Sequence, residues 1–157
     1  MTSNNMKSGE AEPGRSFLIE HNLLIVWKPE YDLDIPIVDE QHRGIVTIIN
    51  SLHYGMQNNY VSGILMPISD MLQDYTRIHF RLEEEFLEKM GFPDLDGHRA
   101  LHRELAIQLD EVRKESIQKK DPHQLMRFLK AWWMDHICKE DRQYGDYYLE
   151  LKPNTGT

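Results

Sequence analysis

Cysteine is almost absent from this sequence, because Cys138 is the only one among 157 residues. A single thiol excludes an intrachain disulfide and a zinc site built from thiolates, which needs at least two cysteines. Basic residues are also scarce, since 18 Lys and Arg stand against 26 Asp and Glu, for a net charge of -8. Nucleic-acid binding begins with a basic surface that contacts phosphates, so we expect no nucleic-acid partner.

The sequence also has no long hydrophobic run. Its most apolar early stretch, residues 17–27, is interrupted by Glu20, His21 and Asn22, whereas a membrane-spanning helix needs about 20 consecutive apolar residues. The polar start of the chain has no apolar core of the kind that signal peptides contain. We therefore expect a cytoplasmic protein without membrane insertion.

The composition that is present is typical of one globular domain. Hydrophobic residues make up 40% and charged residues 28%, a balance that supports a buried core and argues against disorder. Residues 1–20, rich in polar residues and glycine, predict a flexible N-terminal tail, and residues 21–151 predict a single domain. Within it, the segment Trp27–Val38 has two prolines and alternating apolar residues, which predicts an extended arm.

From Asp39 onward, apolar residues recur at intervals of three and four, which predicts amphipathic helices. Asp39 suits the N-cap of the first helix. Gly91 and Pro93 form a stop signal after the second helix, and Asp121 with Pro122 forms a start signal for the fourth. Four such stripes of about 18 to 28 residues, joined by short loops, predict an all-α, up-down-up-down four-helix bundle with an extended N-terminal arm.

Each of the four stripes carries histidine or carboxylate at positions that face the core. Pairs four residues apart share one face of a helix and can converge on one ion. A single buried histidine is more often a hydrogen-bonded core residue, but a whole unpaired set would cost several kcal/mol for each buried charge. A metal cluster removes that cost, so we predict one. The candidate ligands are His42, His79, Glu83, His98, His102, His136 and either Glu140 or Asp141.

The fourth helix leaves the choice between two carboxylates open. Glu140 is four residues after His136 and shares its face in a regular α-helix. Asp141 is five residues after His136, so it would share that face only if the helix contained a one-residue π-bulge. Such bulges often mark functional sites.

The other histidines are expected to be structural, namely His21, His53 and His123. Cys138 lies about 200° round the helix from His136, so we expect a packed thiol that points away from the ligands. Trp132 and Trp133 are adjacent, so only one of them can face the site. The other is expected to cover the neighbouring helix.

Four motifs follow one another along the chain. They are Trp27-x3-Tyr31 leading to Asp39-Glu-Gln-His42, then His79-Phe-Arg-Leu-Glu83-Glu84, His98-Arg-Ala-Leu-His102, and Trp132-Trp-Met-Asp-His136-Ile-Cys-Lys-Glu-Asp141. In this order they resemble the motifs of hemerythrins, the bacterial branch especially. The resemblance covers about residues 24–150 and implies the four-helix bundle. In the family the fourth motif has the form HxxxxD, which selects Asp141.

The resemblance implies a non-haem site with two iron ions that cycle between Fe2+ and Fe3+. One iron would be held by three histidines and the other by two, and both would share an oxo or hydroxo group. These donors fill all but one position of two octahedral ions, although bare imidazole chemistry would also suit zinc, copper or nickel. The implied ligands are His98, His102 and His136 on one iron, His42 and His79 on the other, and Glu83 and Asp141 as bridges.

The open position implies reversible dioxygen binding, for transport, storage or delivery to a client oxygenase. No side chain needs a catalytic role. The alternative is a di-iron enzyme or a sensor that acts on dioxygen, peroxide or nitric oxide. A dry apolar pocket would exclude water and competing ligands. The residues expected to line it flank the ligands and are Ile45, Ile49, Phe80, Leu101, Leu105 and Trp132.

Overall fold

Four helical rods follow a short arm in the computed structural model, which describes residues 23–152. No strand occurs within that range, and none of its helices is long and apolar enough to cross a membrane. The predicted tail at residues 1–20 lies outside the described residues. The helical elements are a 3-10 turn (Pro29–Tyr31), α1 (Pro36–Gln57), α2 (Val61–Met90), α3 (Leu95–Lys119), α4 (His123–Ala131), a π segment (Trp132–Glu140) and α5 (Asp141–Leu151).

Short connections reverse the chain between successive rods. α2 ends at the predicted stop signal, where Gly91 adopts a left-handed conformation with φ of 70° and its N–H caps a carbonyl of the last turn. α2 packs between α1 and α3, and α4 packs against both α3 and α1, which closes the bundle. The predicted all-α four-helix bundle is confirmed.

This antiparallel order divides the bundle into two halves. The N-terminal halves of α1 and α3 lie beside the C-terminal half of α2 and the second part of the fourth rod. All the histidine and carboxylate candidates fall in that half, which we call the polar half. The opposite ends of the same rods form the apolar half, where large side chains such as Leu52, Leu72, Leu125 and Leu129 are fully buried.

The first helix begins earlier than the sequence predicts. α1 starts at Pro36, because proline has a fixed φ and no N–H and therefore suits the first helical position. The prediction that Asp39 is the N-cap is wrong. Its carboxylate instead accepts hydrogen bonds from the backbone N–H groups of Leu33 at 2.7 Å and Ile35 at 3.2 Å. The arm also differs from the fully extended prediction, since it contains the 3-10 turn.

The fourth rod departs from regular helix where the ligand candidates lie. α4 begins at His123, one residue later than predicted, and the carboxylate of Asp121 accepts the N–H of His123 at 3.0 Å. The π segment then runs for 9 residues, which is longer than the predicted one-residue bulge. α2, with 30 residues, is also longer than predicted.

Candidate metal centre

Seven buried side chains from all four rods meet in the polar half. Their ligand atoms form two groups, and within each group these atoms lie within 4.8 Å of one another. Both groups contain the same two carboxylates. The first group is Glu83, His98, His102, His136 and Asp141, and the second is His42, His79, Glu83 and Asp141.

The fourth rod supplies Asp141 because of the π segment. The N–H of Asp141 donates to the carbonyl oxygen of His136, five residues back. This bonding pattern places residues five apart on nearly the same face, so His136 and Asp141 both point into the bundle. Glu140 lies outside both groups, and its Oε2 accepts a hydrogen bond from Gln143 at 2.8 Å.

Glu83 faces both groups of histidines with different oxygens. Its Oε1 lies 2.6 Å from His98 Nε2 and 3.3 Å from His102 Nε2. Its Oε2 lies 3.3 Å from His79 Nε2 and 3.9 Å from His42 Nε2. One carboxylate therefore presents a separate oxygen atom to each group.

Asp141 repeats this arrangement from the opposite side. Its Oδ1 lies 3.2 Å from His136 Nε2 and 3.5 Å from His98 Nε2, while its Oδ2 lies 3.2 Å from His42 Nε2. Two carboxylates that each divide their oxygens in this way fit a pair of neighbouring cations. The Nε2 atoms of His102 and His136 are only 3.1 Å apart, which also suits two imidazoles directed at one ion.

Several of these buried atoms have no hydrogen-bond partner among the described residues. They include both ring nitrogens of His42, Nε2 of His79, Oε2 of Glu83 and both oxygens of Asp141. Leaving buried polar atoms unpaired costs free energy. A cation bound between them would supply the missing partner for Nε2 of both histidines and for the carboxylate oxygens. The donor set of imidazole and carboxylate therefore fits a transition metal, iron included.

The protonation states of the histidines also suit metal binding. Burial lowers the pKa of His42 to about 4, of His79 to about 3 and of His136 to about 2. These imidazoles are neutral at pH 7, and the neutral form carries the lone pair that binds a metal. Burial also lowers the pKa of His102, but hydrogen bonds to Glu83 and Glu84 outweigh it, so that its pKa is raised.

The two carboxylates differ in charge state when no cation is present. Burial acts to raise the pKa of Glu83, but His79, His102 and His98 hold it well below the ordinary value. Burial raises the pKa of Asp141 well above its ordinary value, and the negative charge of Glu83 adds to that effect. A nearby cation favours the ionised form of both groups, so it would reinforce the low pKa of Glu83 and oppose the raised pKa of Asp141.

Two residues that were not predicted to have a role in the site hydrogen-bond to the imidazoles on the side away from the centre. His79 Nδ1 donates to the side-chain oxygen of Gln41 at 3.0 Å, and His102 Nδ1 donates to Glu84 at 2.8 Å. Each hydrogen bond fixes the tautomer and turns Nε2 toward the centre. Their position in the sequence could have indicated this role, because Gln41 directly precedes His42 and Glu84 directly follows Glu83.

Apolar and aromatic side chains enclose the centre. Phe80 stacks on His102 with ring centroids 3.8 Å apart, and Trp132 meets Phe80 edge to face at 5.7 Å. Ile45 and Ile49, expected to line a dry pocket, are fully buried. The same expectation for Leu101 is wrong, because Leu101 is 40% exposed and lies in a surface cleft that Leu105 also lines.

The second tryptophan has neighbours that were not predicted. Trp133 packs against the arm, where it contacts Tyr31 at 5.1 Å and Trp27 at 6.0 Å between ring centroids. It is also buried as a member of the main apolar cluster. The first turn of α4 exposes His123, which pairs with Asp121, whereas His21 lies outside the described residues.

His53 and Cys138 belong to neither group of ligand atoms. His53 is half-buried on α1. Cys138 is half-buried and packs against the main apolar cluster, and burial raises the pKa of its thiol. A packed thiol with a raised pKa is protonated at pH 7 and is a poor metal ligand.

The fold and the centre together define a class, namely four-helix bundle proteins with a metal-binding core of histidines and carboxylates. The hemerythrin HHE cation binding domain matches residues 33–148 of the chain. The chain belongs to the hemerythrin family, as its four motifs suggested.

Bacterial relatives are similar over most of the chain. A bacteriohemerythrin from Stenotrophomonas maltophilia is 31% identical over 124 residues, which cover 78% of this chain and 80% of the relative. One from Methylococcus capsulatus is 31% identical over 125 residues, which cover 78% and 95%. One from Clostridium acetobutylicum is 28% identical over 129 residues, which cover 78% of this chain and the whole relative.

Proposed function

We propose that this chain holds two iron ions in its polar half and binds dioxygen reversibly at them. The observation that carries the proposal is the orientation of Glu83 and Asp141. Each carboxylate turns one oxygen toward one histidine group and the other oxygen toward the second group. That is the geometry required of a ligand that bridges two cations, and membership of the hemerythrin family supports iron.

The ligand assignment follows from the two groups. Three histidines in one group and two in the other leave the second ion with one donor fewer, and a diatomic ligand has room to bind there. Two bound iron ions would supply the electrons for binding dioxygen. We assign His98, His102 and His136 to one ion, His42 and His79 to the other, and Glu83 and Asp141 to both.

The protein's own part is to hold the ligand side chains, to orient them and to exclude water from the centre. Gln41 and Glu84 fix the directions of two imidazoles, and the buried, neutral rings keep their lone pairs for metal. Phe80 covers one face of His102. Excluding water in this way protects a bound diatomic ligand from competition and from proton transfer.

A binding function accounts for the donor set better than an oxygenase does. Ferritin-like di-iron proteins use Glu-x-x-His motifs and a glutamate from each of two further helices. Here five of the seven donors are imidazoles. Fewer carboxylates stabilise high-valent iron less, which favours reversible binding over turnover. An enzyme or a sensor acting on dioxygen, peroxide or nitric oxide is the alternative outcome of the test below.

The test is metal analysis combined with absorption spectroscopy of protein produced in iron-rich medium. We expect two iron ions per chain, as the two ligand groups require. We expect a visible band that forms in air with the reduced protein and disappears when dioxygen is removed, over repeated cycles. Irreversible bleaching with consumption of peroxide would favour the enzyme. An iron content well below two would contradict the ligand assignment.

Two matched histidine substitutions make the test specific. His102→Ala removes a ligand and should lower the iron content and part of the thermal stability, because the remaining buried donors lose their cation. His53→Ala, on α1 but outside both groups, should keep the iron content and the visible band of the unmodified protein. Equal iron content in the two variants would show that His102 is not a ligand.

Dioxygen is the one partner that this function requires. Delivery to a client oxygenase and a cytoplasmic location stay predictions from the sequence. A pull-down performed with the oxygenated and the reduced protein in parallel would show whether any partner responds to the state of the centre.

A further inference from the structure

One side chain fastens the N-terminal arm to the start of α5. Arg142 donates from Nη1 to the carbonyl oxygen of Asp32 at 2.9 Å and from Nη2 to the carbonyl oxygen of Glu30 at 2.6 Å. A planar guanidinium bridges two acceptors in a fixed geometry, and hydrogen bonds from a charged donor are stronger than neutral ones. Arg142 directly follows Asp141 at the junction between the π segment and α5.

The arm is fixed to α1 on its other side. The carboxylate of Asp39 accepts two arm N–H groups, and Arg43 pairs with the side chain of Asp32 at 2.6 Å. Leu33 and Ile35 are buried with residues of α1, α2 and α5 in the smaller apolar cluster. The arm therefore connects α1, close to His42, with α5, close to Asp141.

Asp141 depends on its neighbours for its position. Its side chain is fully buried, and neither oxygen has a hydrogen-bond partner within residues 23–152. The backbone that carries it leaves a π segment, which is a rare form of helix. Asp141 is the first residue of α5, at the point where the π segment passes into regular helix, and the two hydrogen bonds of Arg142 lie one residue away.

We propose that Arg142 is a positioning residue for Asp141, and that by clamping the arm to the first turn of α5 it slows the loss of metal from the centre. This inference rests on the proposed function, since it concerns the retention of the same ions. The positive charge of Arg142 repels cations and cannot itself retain them. The contribution must therefore come from the hydrogen bonds that hold the backbone.

The experiment measures the rate at which a chelator removes iron from the loaded protein. Arg142→Met removes the clamp, and we expect iron release to be about tenfold faster, because local opening next to the ligand becomes easier. Arg142→Lys keeps the charge but cannot bridge two carbonyls in the same way, so its release rate should also rise. Arg113→Met is the control, since Arg113 pairs with Asp70 in the other half of the bundle.

A second variant tests whether Arg142 acts through the arm. Asp34 has a φ of 59°, which a β-branched residue adopts only with strain. Asp34→Val should therefore displace the arm without changing any helix, and should itself accelerate iron release. If both residues act on one clamp, the double variant with Arg142→Met should release iron little faster than either single variant.

The outcomes separate this inference from the proposed function. Arg142→Met and Arg113→Met should lower the thermal unfolding temperature of the metal-free protein to a similar extent. Only Arg142→Met should change the rate of iron release. Equal release rates in these two variants, with a full iron content in the unmodified protein, would overturn the clamp and leave the proposed function standing. Additive effects of Asp34→Val and Arg142→Met would overturn the role of the arm. Absence of iron from the unmodified protein would instead contradict the proposed function.

Discussion

The two halves of the bundle have opposite kinds of core although the same four rods build both. In the apolar half, leucine, isoleucine and methionine side chains pack together, and the buried polar residues among them in the described part of the chain are Ser69 and Ser116. In the polar half, five imidazoles and two carboxylates occupy the equivalent positions. The apolar half has a favourable free energy of burial, at about 25 cal/mol per Å² of apolar surface.

The polar half also buries apolar side chains, in the smaller apolar cluster, but its ligand set works against that gain. Several buried nitrogen and oxygen atoms of that set lack hydrogen-bond partners among the described residues, so they oppose folding until a cation satisfies them. The difference shows how the two halves share the work. The apolar half stabilises the fold, and this stability allows the other half to contain a ligand set that destabilises the metal-free protein. The effects of substitutions in the two halves should therefore depend differently on bound metal.

The largest difference is expected when a shared ligand is removed. Asp141→Ala takes one oxygen from each histidine group and should reduce the iron content from two ions per chain to well below one. Glu140→Ala, next to it in the sequence, should keep both ions, because Glu140 contacts Gln143 outside the centre. Metal analysis of both variants decides the matter. The opposite order would mean that the fourth rod is a regular helix in solution.

The next largest effect is the response of the metal-free protein to acid. The lowered pKa values of His42, His79 and His136 mean that the unfolded chain takes up protons below pH 6.5 while the folded chain does not. Stability should fall as pH decreases from 6.5 toward 4, at about 1.4 kcal/mol per pH unit for each such group. The raised pKa values of His102 and Asp141 act in the opposite sense and offset part of this loss.

Thermal unfolding of the metal-free protein between pH 7 and pH 5 measures this dependence. Hydrogen exchange under the same conditions should show protection lost first in the polar half, because the apolar half has no buried titratable side chain among the described residues. A stability that is constant over this range would contradict burial of neutral imidazoles.

Truncation of a core side chain in the apolar half should lower the free energy of unfolding equally with and without metal. Leu125 is fully buried, so Leu125→Ala should lower the free energy of unfolding by about 3 kcal/mol. The loss should be the same with and without iron, as measured by denaturant unfolding. Leu101→Ala, at an exposed position, is the control and should cost far less. A loss that depends on iron would show that the two halves are coupled.

The smallest effect is expected at Glu84, which hydrogen-bonds to His102 on the side away from the centre. Glu84→Gln keeps an oxygen that can accept from His102 Nδ1 but removes the negative charge. Outer partners of this kind typically change metal affinity by 10 to 100-fold, and we expect about the lower figure. Competition with a chelator measures it. Glu85→Gln is the control, because Glu85 pairs with Arg81 on the surface, and an equal loss there would argue for a general charge effect.

The predictions that succeeded from sequence are those with a periodic or local signal. The apolar spacing predicted four helices, and Gly91 marked the end of α2, because both signals depend on a few neighbouring residues. The N-cap at Asp39 was wrong for a related reason. Asp39 looks like a cap locally, but its carboxylate is used by arm residues that precede Pro36, the true start of the helix.

Other features of the site had no local signal. Arg142 contacts backbone carbonyl oxygens 110 and 112 residues away in the sequence. Every residue has a backbone carbonyl, so the sequence does not indicate which of them a side chain will bind. The contact of Trp133 with the arm was not predicted for the same reason, because the arm is remote from Trp133 in sequence. Leu101 was placed inside because it flanks a ligand, and only the packing of α3 shows that it faces outward.

The sequence by itself determined the rods and six of the candidate donors, because helix periodicity and the i, i+4 spacing of His79 with Glu83 are properties of a single segment. Tertiary structure decided which oxygen of each carboxylate faces which histidine group, and that the π segment brings Asp141 rather than Glu140 into the core. These depend on the packing of four separate rods at distances of a few ångströms. No single segment contains that information.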